Sequence, residues 1–221
     1  MRFHDRRTAG RELGLRLMEW ASEGELPRVV VLALPRGGVP VAAEVARALG
    51  APLDVLVARK IGLPGRPETG IGAVVADDPP LFDRRTLVML GLDEDRLVRD
   101  VAREREELRR RALLYRGDLS TPDVEDRTVI LVDDGLATGA TARAALRHLR
   151  RREPARLVLA VPVGAPEAAA AMREEADDVV CLRQPPDFMA VGFWYDDFEQ
   201  VTDDEVVEVL NERRAALPPG G

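Results

Sequence analysis

Two adjacent carboxylates, Asp133 and Asp134, run into a turn of Gly135, Leu136, Ala137, Thr138, Gly139, Ala140 and Thr141, and these are the residues whose types and spacing best suit chemistry. Gly135 and Gly139 let the backbone turn tightly and approach a ligand. The loop amides and the amino end of a following helix point outward, and Thr138 and Thr141 add hydroxyl donors. Such a loop holds a phosphate dianion. The two acids would repel that phosphate, so their natural partners are neutral hydroxyls or a hydrated cation lying beside it. A sugar phosphate offers both.

Three other groups carry chemical potential. Pro35-Arg36-Gly37-Gly38 gives a turn with amides free to approach an anion and places a guanidinium beside them. Arg59-Lys60 contains the one lysine among 32 basic residues, in a chain that otherwise uses arginine, which marks a place where a compact, flexible ammonium is needed. Residues 184–200 hold most of the aromatic side chains (Phe188, Phe193, Trp194, Tyr195, Phe198) beside Asp187, Asp196 and Asp197. Flat rings and carboxylates suit a planar, hydrogen-bonding base, and equally suit a small core that packs the terminal helices onto a sheet.

The elements that must position these groups can be read from periodicity. Residues 28–34 and 129–132 are uninterrupted apolar runs suited to buried parallel strands, each delivering its turn at its carboxyl end, where open α/β sheets bind ligands. Residues 53–58 read as a third strand that delivers Arg59 and Lys60 to the same edge, and 157–161 and 178–182 as two more. Helices are expected over 6–23 (closed by Gly24), 39–49, 93–116, 142–151 and 166–175. The 93–116 helix carries an apolar stripe of Leu97, Val101, Leu108, Ala112 and Tyr115, with Asp95/Arg99, Glu106/Arg110 and Glu107/Arg111 spaced i,i+4. Gly and Pro are dense over 61–72, which predicts an exposed hinged loop, and 73–76 with 81–82 predicts a small hairpin. Strands alternating with helices at this spacing define an α/β fold, doubly wound around a mainly parallel sheet of about five strands.

Composition narrows the function classes. A net charge of −7 gives no general pull toward nucleic acid, and no apolar run approaches the length of a membrane helix. The charged amino terminus is followed by no apolar signal segment, and a lone Cys181 allows no intrachain disulfide, so a cytoplasmic location is expected. No GxGxxG follows the first strand, which disfavours a dinucleotide-binding Rossmann protein.

The run Val129 through Thr141, an apolar strand, two acids and a loop ending Thr-Gly-x-Thr, resembles the binding motif for phosphoribosyl pyrophosphate in type I phosphoribosyltransferases. Pro35-Arg36-Gly37-Gly38 resembles the pyrophosphate loop of that family. Leu34 through Pro40, Arg59-Lys60, Tyr115-Arg116, the acid loop and Ala190-Val191-Gly192-Phe193-Trp194-Tyr195 together look like a bacterial group of predicted phosphoribosyltransferases with no established acceptor, some joined to hydrolase domains. The resemblance implies a Rossmann-like transferase of nucleotide metabolism over 1–221, with a core at about 26–182, a hood from about 1–24 and 183–217, and a mobile loop at about 61–72.

It also implies roles. Asp133 and Asp134 would bind the ribose hydroxyls, the loop from Gly135 to Thr141 the 5-phosphate, and Arg36, Gly37, Gly38, Arg59 and Lys60 the pyrophosphate. Asp133, Asp134, Lys60 and Arg36 would be the catalytic set, with Mg2+ held mainly through the substrate. In purine members an apolar-apolar-Gly-aromatic run precedes an aspartate that meets the base. Aligned on Gly192, this chain has Met189 at the stacking position and Asp196 at the aspartate, so the acceptor pocket would be Met189, Val191, Phe193, Trp194 and Asp196. Ala137 stands where enzymes for hypoxanthine and guanine carry an acid, which argues against a 6-oxopurine. Expected partners are the donor and a small nitrogenous acceptor, in a homodimer by family expectation. The second reading is a regulator that binds the donor without catalysis.

Overall fold

In the computed structural model, residues 2–22, 26–118 and 122–216 are described, with only the backbone for Pro67 and Glu68. The chain begins with α1 (Arg6–Ala21), β1 (Val30–Ala33), α2 (Gly38–Leu49) and β2 (Leu53–Val55), followed by β3 (Ala58–Leu63), β4 (Arg66–Val75) and β5 (Leu81–Phe82). Then come α3 (Arg84–Leu90), α4 (Val98–Arg116), β6 (Thr128–Val132), α5 (Ala140–Arg150), β7 (Arg156–Val163), α6 (Pro166–Met172), β8 (Asp178–Arg183) and α7 (Asp203–Ala215).

Five strands form one parallel sheet in the order β2-β1-β6-β7-β8. The mainly parallel α/β architecture read from the sequence is the one observed. The pleat divides its side chains between two cores. Val31, Ala33, Ile130, Val132, Val158 and Ala160 face a layer containing α1, α2, α4 and α7. Val30, Leu32, Val129, Leu131, Leu157 and Leu159 face α5 and α6. A strand covered on both faces has no polar face to show, which explains the unbroken apolar runs.

Strand order fixes where a ligand can sit. From β1 the chain steps outward to β2, and from β6 it steps the other way to β7 and β8, so β1 and β6 are neighbours whose crossovers leave in opposite directions. A crevice opens at their carboxyl ends. Both Pro35-Arg36-Gly37-Gly38 and the acid loop emerge there.

The structure corrects the reading of 53–72. The third run stops at Val55, and Arg59 and Lys60 belong instead to β3, in a separate antiparallel sheet ordered β3-β4-β5. The segment 61–72 is not an irregular loop: it is the bulged two-stranded arm of β3 and β4, turning at Pro64-Gly65, where Gly65 has φ 78°. Glycine density that excludes a helix is equally compatible with a bulged, twisted hairpin. The β4–β5 pairing of Gly72 with Phe82 and Ala73 with Leu81 matches the small hairpin expected around Asp77-Asp78-Pro79-Pro80.

Helix boundaries moved by a turn or less. α1 ends at Ala21, and the expected stop at Gly24 lies outside the described residues. The 93–116 helix begins with a 3-10 turn, Glu94–Leu97, before α4, and all five residues of its stripe are buried. Of its expected ion pairs, Glu107–Arg111 forms at 2.7 Å, while Arg110 turns to Glu107 and to Asp203 on α7. Two arginines hold Glu107 at a pKa of about 2. α3 has no counterpart in the sequence reading: its seven residues bury only Leu87, too little for an apolar period to register.

Candidate donor site

The acid pair sits where β6 ends. Asp133 N–H reaches the Ala160 carbonyl at 3.4 Å, and Asp134 N–H donates to Asp133 Oδ1 at 2.9 Å, which folds the two carboxylates into the crevice. Gly139 takes φ 75° and hands the chain to α5, placing the amino end of that helix beside Thr138 and Thr141. A recess of about 280 Å3 is lined by Asp133, residues 135–142, Gly70, Val191 and Lys60.

The Pro35–Gly38 turn lies directly against the acids. The Pro35-Arg36 peptide is cis, and Gly37 is the N-cap of α2. A Cβ on Gly37 would fall 2.0 Å from Asp134 Oδ2, and one on Gly38 would fall 2.8 Å from the Val132 carbonyl oxygen. Only glycine allows this approach. Arg36 stands 3.6 Å from Asp203, which also accepts a hydrogen bond from the Tyr115 hydroxyl at 2.5 Å. Burial and the Asp203 charge push the Tyr115 hydroxyl upward, so it remains the donor.

The adjacent pair Arg59-Lys60 splits, because successive residues of a strand face opposite ways. Lys60 lies across β4 into the recess, over a glycine: a Cβ on Gly70 would fall 2.8 Å from Lys60 Cδ. Arg59 turns to α4 and pairs with Glu104 at 2.8 Å. The two residues named together for pyrophosphate therefore occupy different environments, with Lys60 alone lining the recess.

Electrostatics make the acids a site for positive charge. Burial and the neighbouring Asp134 raise the Asp133 pKa well above the ordinary carboxylate range. Burial also raises Asp134, against the pull of Arg6. Among the described residues no group of three or more His, Cys, Asp or Glu could hold a metal ion by itself. Two buried, mutually repelling carboxylates do fit a hydrated cation that takes most of its ligands from elsewhere, which is how magnesium is bound with phosphate substrates.

Sequence reasoning missed Arg6. Its Nε donates to Asp134 Oδ2 at 2.8 Å and its NH1 to the Glu199 carbonyl at 2.7 Å, while its guanidinium lies 3.8 Å from the Phe198 ring centroid. The Tyr195 hydroxyl donates to the Asp134 carbonyl at 2.6 Å, and Tyr195 pairs with Phe3 and stacks on Phe198. A contact spanning 128 positions has no local signature, although an arginine cluster at the N-terminus facing an acid pair was the available hint.

The aromatic segment thus divides. Phe3, Ala9, Val163 and Tyr195 make a small core, with Phe188, Val191 and Trp194 packed on it. Val191 touches the loop after the acid pair so closely that a Cβ on Gly135 would fall 2.5 Å from its Cγ1. Met189 and Phe193 stand 79% and 55% exposed, Asp196 is exposed, and Trp194 Nε1 is buried without a hydrogen bond.

A parallel sheet with a phosphate-type loop, an acid pair and a glycine turn meeting at its switch point defines an α/β protein suited to holding a sugar phosphate at the sheet edge. The chain belongs to the phosphoribosyl transferase domain family, which matches residues 11–197. It is 44% identical over 221 residues to a Mycobacterium tuberculosis H37Rv protein named as a predicted phosphoribosyl transferase, covering 99% of this chain and 48% of that one. The chain therefore spans about half the length of the curated relatives it matches. It resembles the crystal structure of TT1426 from Thermus thermophilus at 46% identity and TM-score 0.78, over 96% of this chain and 99% of that one. A stretch of 58 residues, 26% of this chain, is 45% identical to 28% of a uracil phosphoribosyltransferase from Lactobacillus gasseri.

Proposed function

We propose that this protein transfers the 5-phosphoribosyl group from phosphoribosyl pyrophosphate to a nitrogenous acceptor, a nucleobase-like ring, and releases pyrophosphate. The observation that carries this reading is the contact of Gly37 and Gly38 with the acid pair, which brings a pyrophosphate-type turn and a ribose-phosphate-type loop to one point.

In this reading the 135–141 amides and Thr138 and Thr141 hold the 5-phosphate, and Asp133 and Asp134 accept hydrogen bonds from the ribose hydroxyls. Magnesium, arriving with the donor, would supply charge neutralisation to the pyrophosphate. The anomeric C–O bond to pyrophosphate breaks as the bond to the acceptor nitrogen forms. Lys60, Arg36 and the Gly37 and Gly38 amides meet charge growing on the leaving group, and the carboxylates offset positive charge on the anomeric carbon. The arm of β3 and β4 carries Lys60 and would close over the donor, excluding the water that would hydrolyse it. Val191, beside Gly135, leads from the donor recess to Met189, Phe193, Trp194 and Asp196, the proposed acceptor side. Core, hood and arm act as one phosphoribosyltransferase domain, in a cytoplasmic homodimer.

The test is pyrophosphate release with magnesium across purines, pyrimidines and nicotinic-type acids. Release with one acceptor class supports transfer. Tight donor binding with no release for any acceptor favours the second reading, a donor-sensing regulator.

A further inference from the structure

Beside the donor recess lies a larger cavity of about 680 Å3, bounded by β4, β5, the start of α3 and one side of α5. It shares Gly70, Thr138 and Ala140 with the donor recess and includes no residue of the hood. A volume of that size is in the range of small-molecule sites.

Its charge is unusual for this chain. Arg84, Arg85, Arg143 and Arg147 line it against a single carboxylate, Asp83. Asp83 is already engaged, accepting from the Arg85 and Thr86 amides and from the Thr86 hydroxyl at 2.9 Å. Arg147 takes Glu175 at 2.6 Å, which leaves Arg143 at 3.8 Å from the same carboxylate, its Nε buried without a hydrogen bond. Arg84 and Arg85 form no ion pair among the described residues. Four guanidinium groups line this cavity, and only two carboxylates, Asp83 and Glu175, stand against them, which leaves an excess of positive charge in a protein of net charge −7.

We propose that this cavity is a second anion site, taking a polyphosphate-bearing ligand distinct from the phosphoribosyl donor. Planar guanidinium forks on two walls suit the several oxygens of a di- or triphosphate better than a single carboxylate. Given the donor reading above, Thr138 and Ala140 form a common wall between two anions, so occupancy of this site opposes donor binding through repulsion. A nucleoside polyphosphate and inorganic polyphosphate share the chemistry that the arginines recognise.

The probe is inorganic tripolyphosphate, titrated calorimetrically into the wild-type chain and into Arg84→Glu/Arg85→Glu, whose substitutions lie outside the donor machinery. Wild type is expected to bind tripolyphosphate at this site at low ionic strength and to lose affinity with salt. The double variant should bind at least tenfold more weakly while its affinity for phosphoribosyl pyrophosphate stays within twofold and its melting temperature is unchanged. ATP and GTP binding more tightly than tripolyphosphate would identify a nucleotide ligand, and equal affinity a simple polyphosphate. Tripolyphosphate binding that is identical in the two proteins, or that is wholly competitive with donor at one shared site, overturns the proposal. Loss of donor binding with tripolyphosphate still held would instead overturn the donor reading and leave this site standing.

Discussion

At the proposed donor recess a Cβ on Gly37 would fall 2.0 Å from a carboxylate oxygen, whereas in the aromatic segment Met189 and Phe193 stand 79% and 55% exposed. The recess is built from the ends of β1 and β6, held by sheet pairing on both sides. The exposed aromatic stretch is built around a short 3-10 turn, Val191–Trp194, anchored by Phe3 and Tyr195. Backbone that is fixed by a parallel sheet leaves one residue type acceptable at a contact, and side chains on an exposed turn leave many. In the proposed reading, donor chemistry is accordingly written in glycines and acids, and acceptor choice in side chains that can vary without disturbing the fold.

The comparison breaks most severely at the acids. Replacing Asp133 and Asp134 together by Asn is expected to lower turnover at least ~10³-fold, the scale of removing preorganised charge from a transition state. Pyrophosphate release measures it, and wild-type rates would remove both residues from the ribose site. Next in size is Lys60→Arg, expected to lower kcat about 10–100-fold with a smaller change in donor KM, because the planar fork does not replace a point charge lying over Gly70. The neighbouring Arg59→Lys should leave kcat within about twofold, since Arg59 faces Glu104. Equal losses in the two variants would show that the split between them has no functional meaning.

Arg6→Gln probes the link between hood and recess. Arg6 pulls the Asp134 pKa down against the larger effect of burial, so its loss should raise that pKa further and move the acidic limb of donor binding to higher pH. Affinity at neutral pH should fall about tenfold, with partial rescue by Arg6→Lys. An unshifted pH profile would reduce Arg6 to a packing role.

The smallest effect concerns stability. Asp133 and Asp134 have folded pKa values above the ordinary unfolded value, so the folded chain binds those protons more tightly. The stability this gives is complete below the unfolded pKa and is lost as pH rises through the folded values. Above those folded values the buried, charged pair is destabilising until a cation or donor arrives. Asp133→Asn should therefore raise the unliganded melting temperature at pH 7 by roughly 2–4 °C, the response of a chain this size to about 1 kcal/mol. A lower melting temperature would mean that Asp133 contributes more through its hydrogen bond to Asp134 N–H than it costs through repulsion.

How much was legible follows from the same physics. Val129 to Val132 and the loop after it declare themselves because strand, acids and helix start are contiguous, and the central strands β1, β6 and β7 are visible as apolar runs because they are buried on both faces. Residues 59–72 were illegible as strands, since bulges at Ile61/Gly62 and Gly62/Leu63 break the alternation that would reveal a hairpin. Arg6 and Asp203 were invisible for a different reason. Each acts through side-chain contacts with residues far along the chain, on Asp134 and on Arg36, Arg110 and Tyr115. Pairing across such distances is decided by topology, after the elements have packed.

The central claim is that the turn at Arg36-Gly37-Gly38 and the loop from Asp133 to Thr141 form one donor site. Calorimetric titration of phosphoribosyl pyrophosphate with magnesium into wild type and into Gly37→Ala tests it most directly, with Gly50→Asn as a control at a left-handed helix cap that asparagine tolerates and where a Cβ would meet nothing within 4 Å. The account predicts one donor per chain for wild type and for the control, and at least ~10-fold weaker binding for Gly37→Ala, whose methyl would displace Asp134. Equal donor affinity in all three proteins would contradict it.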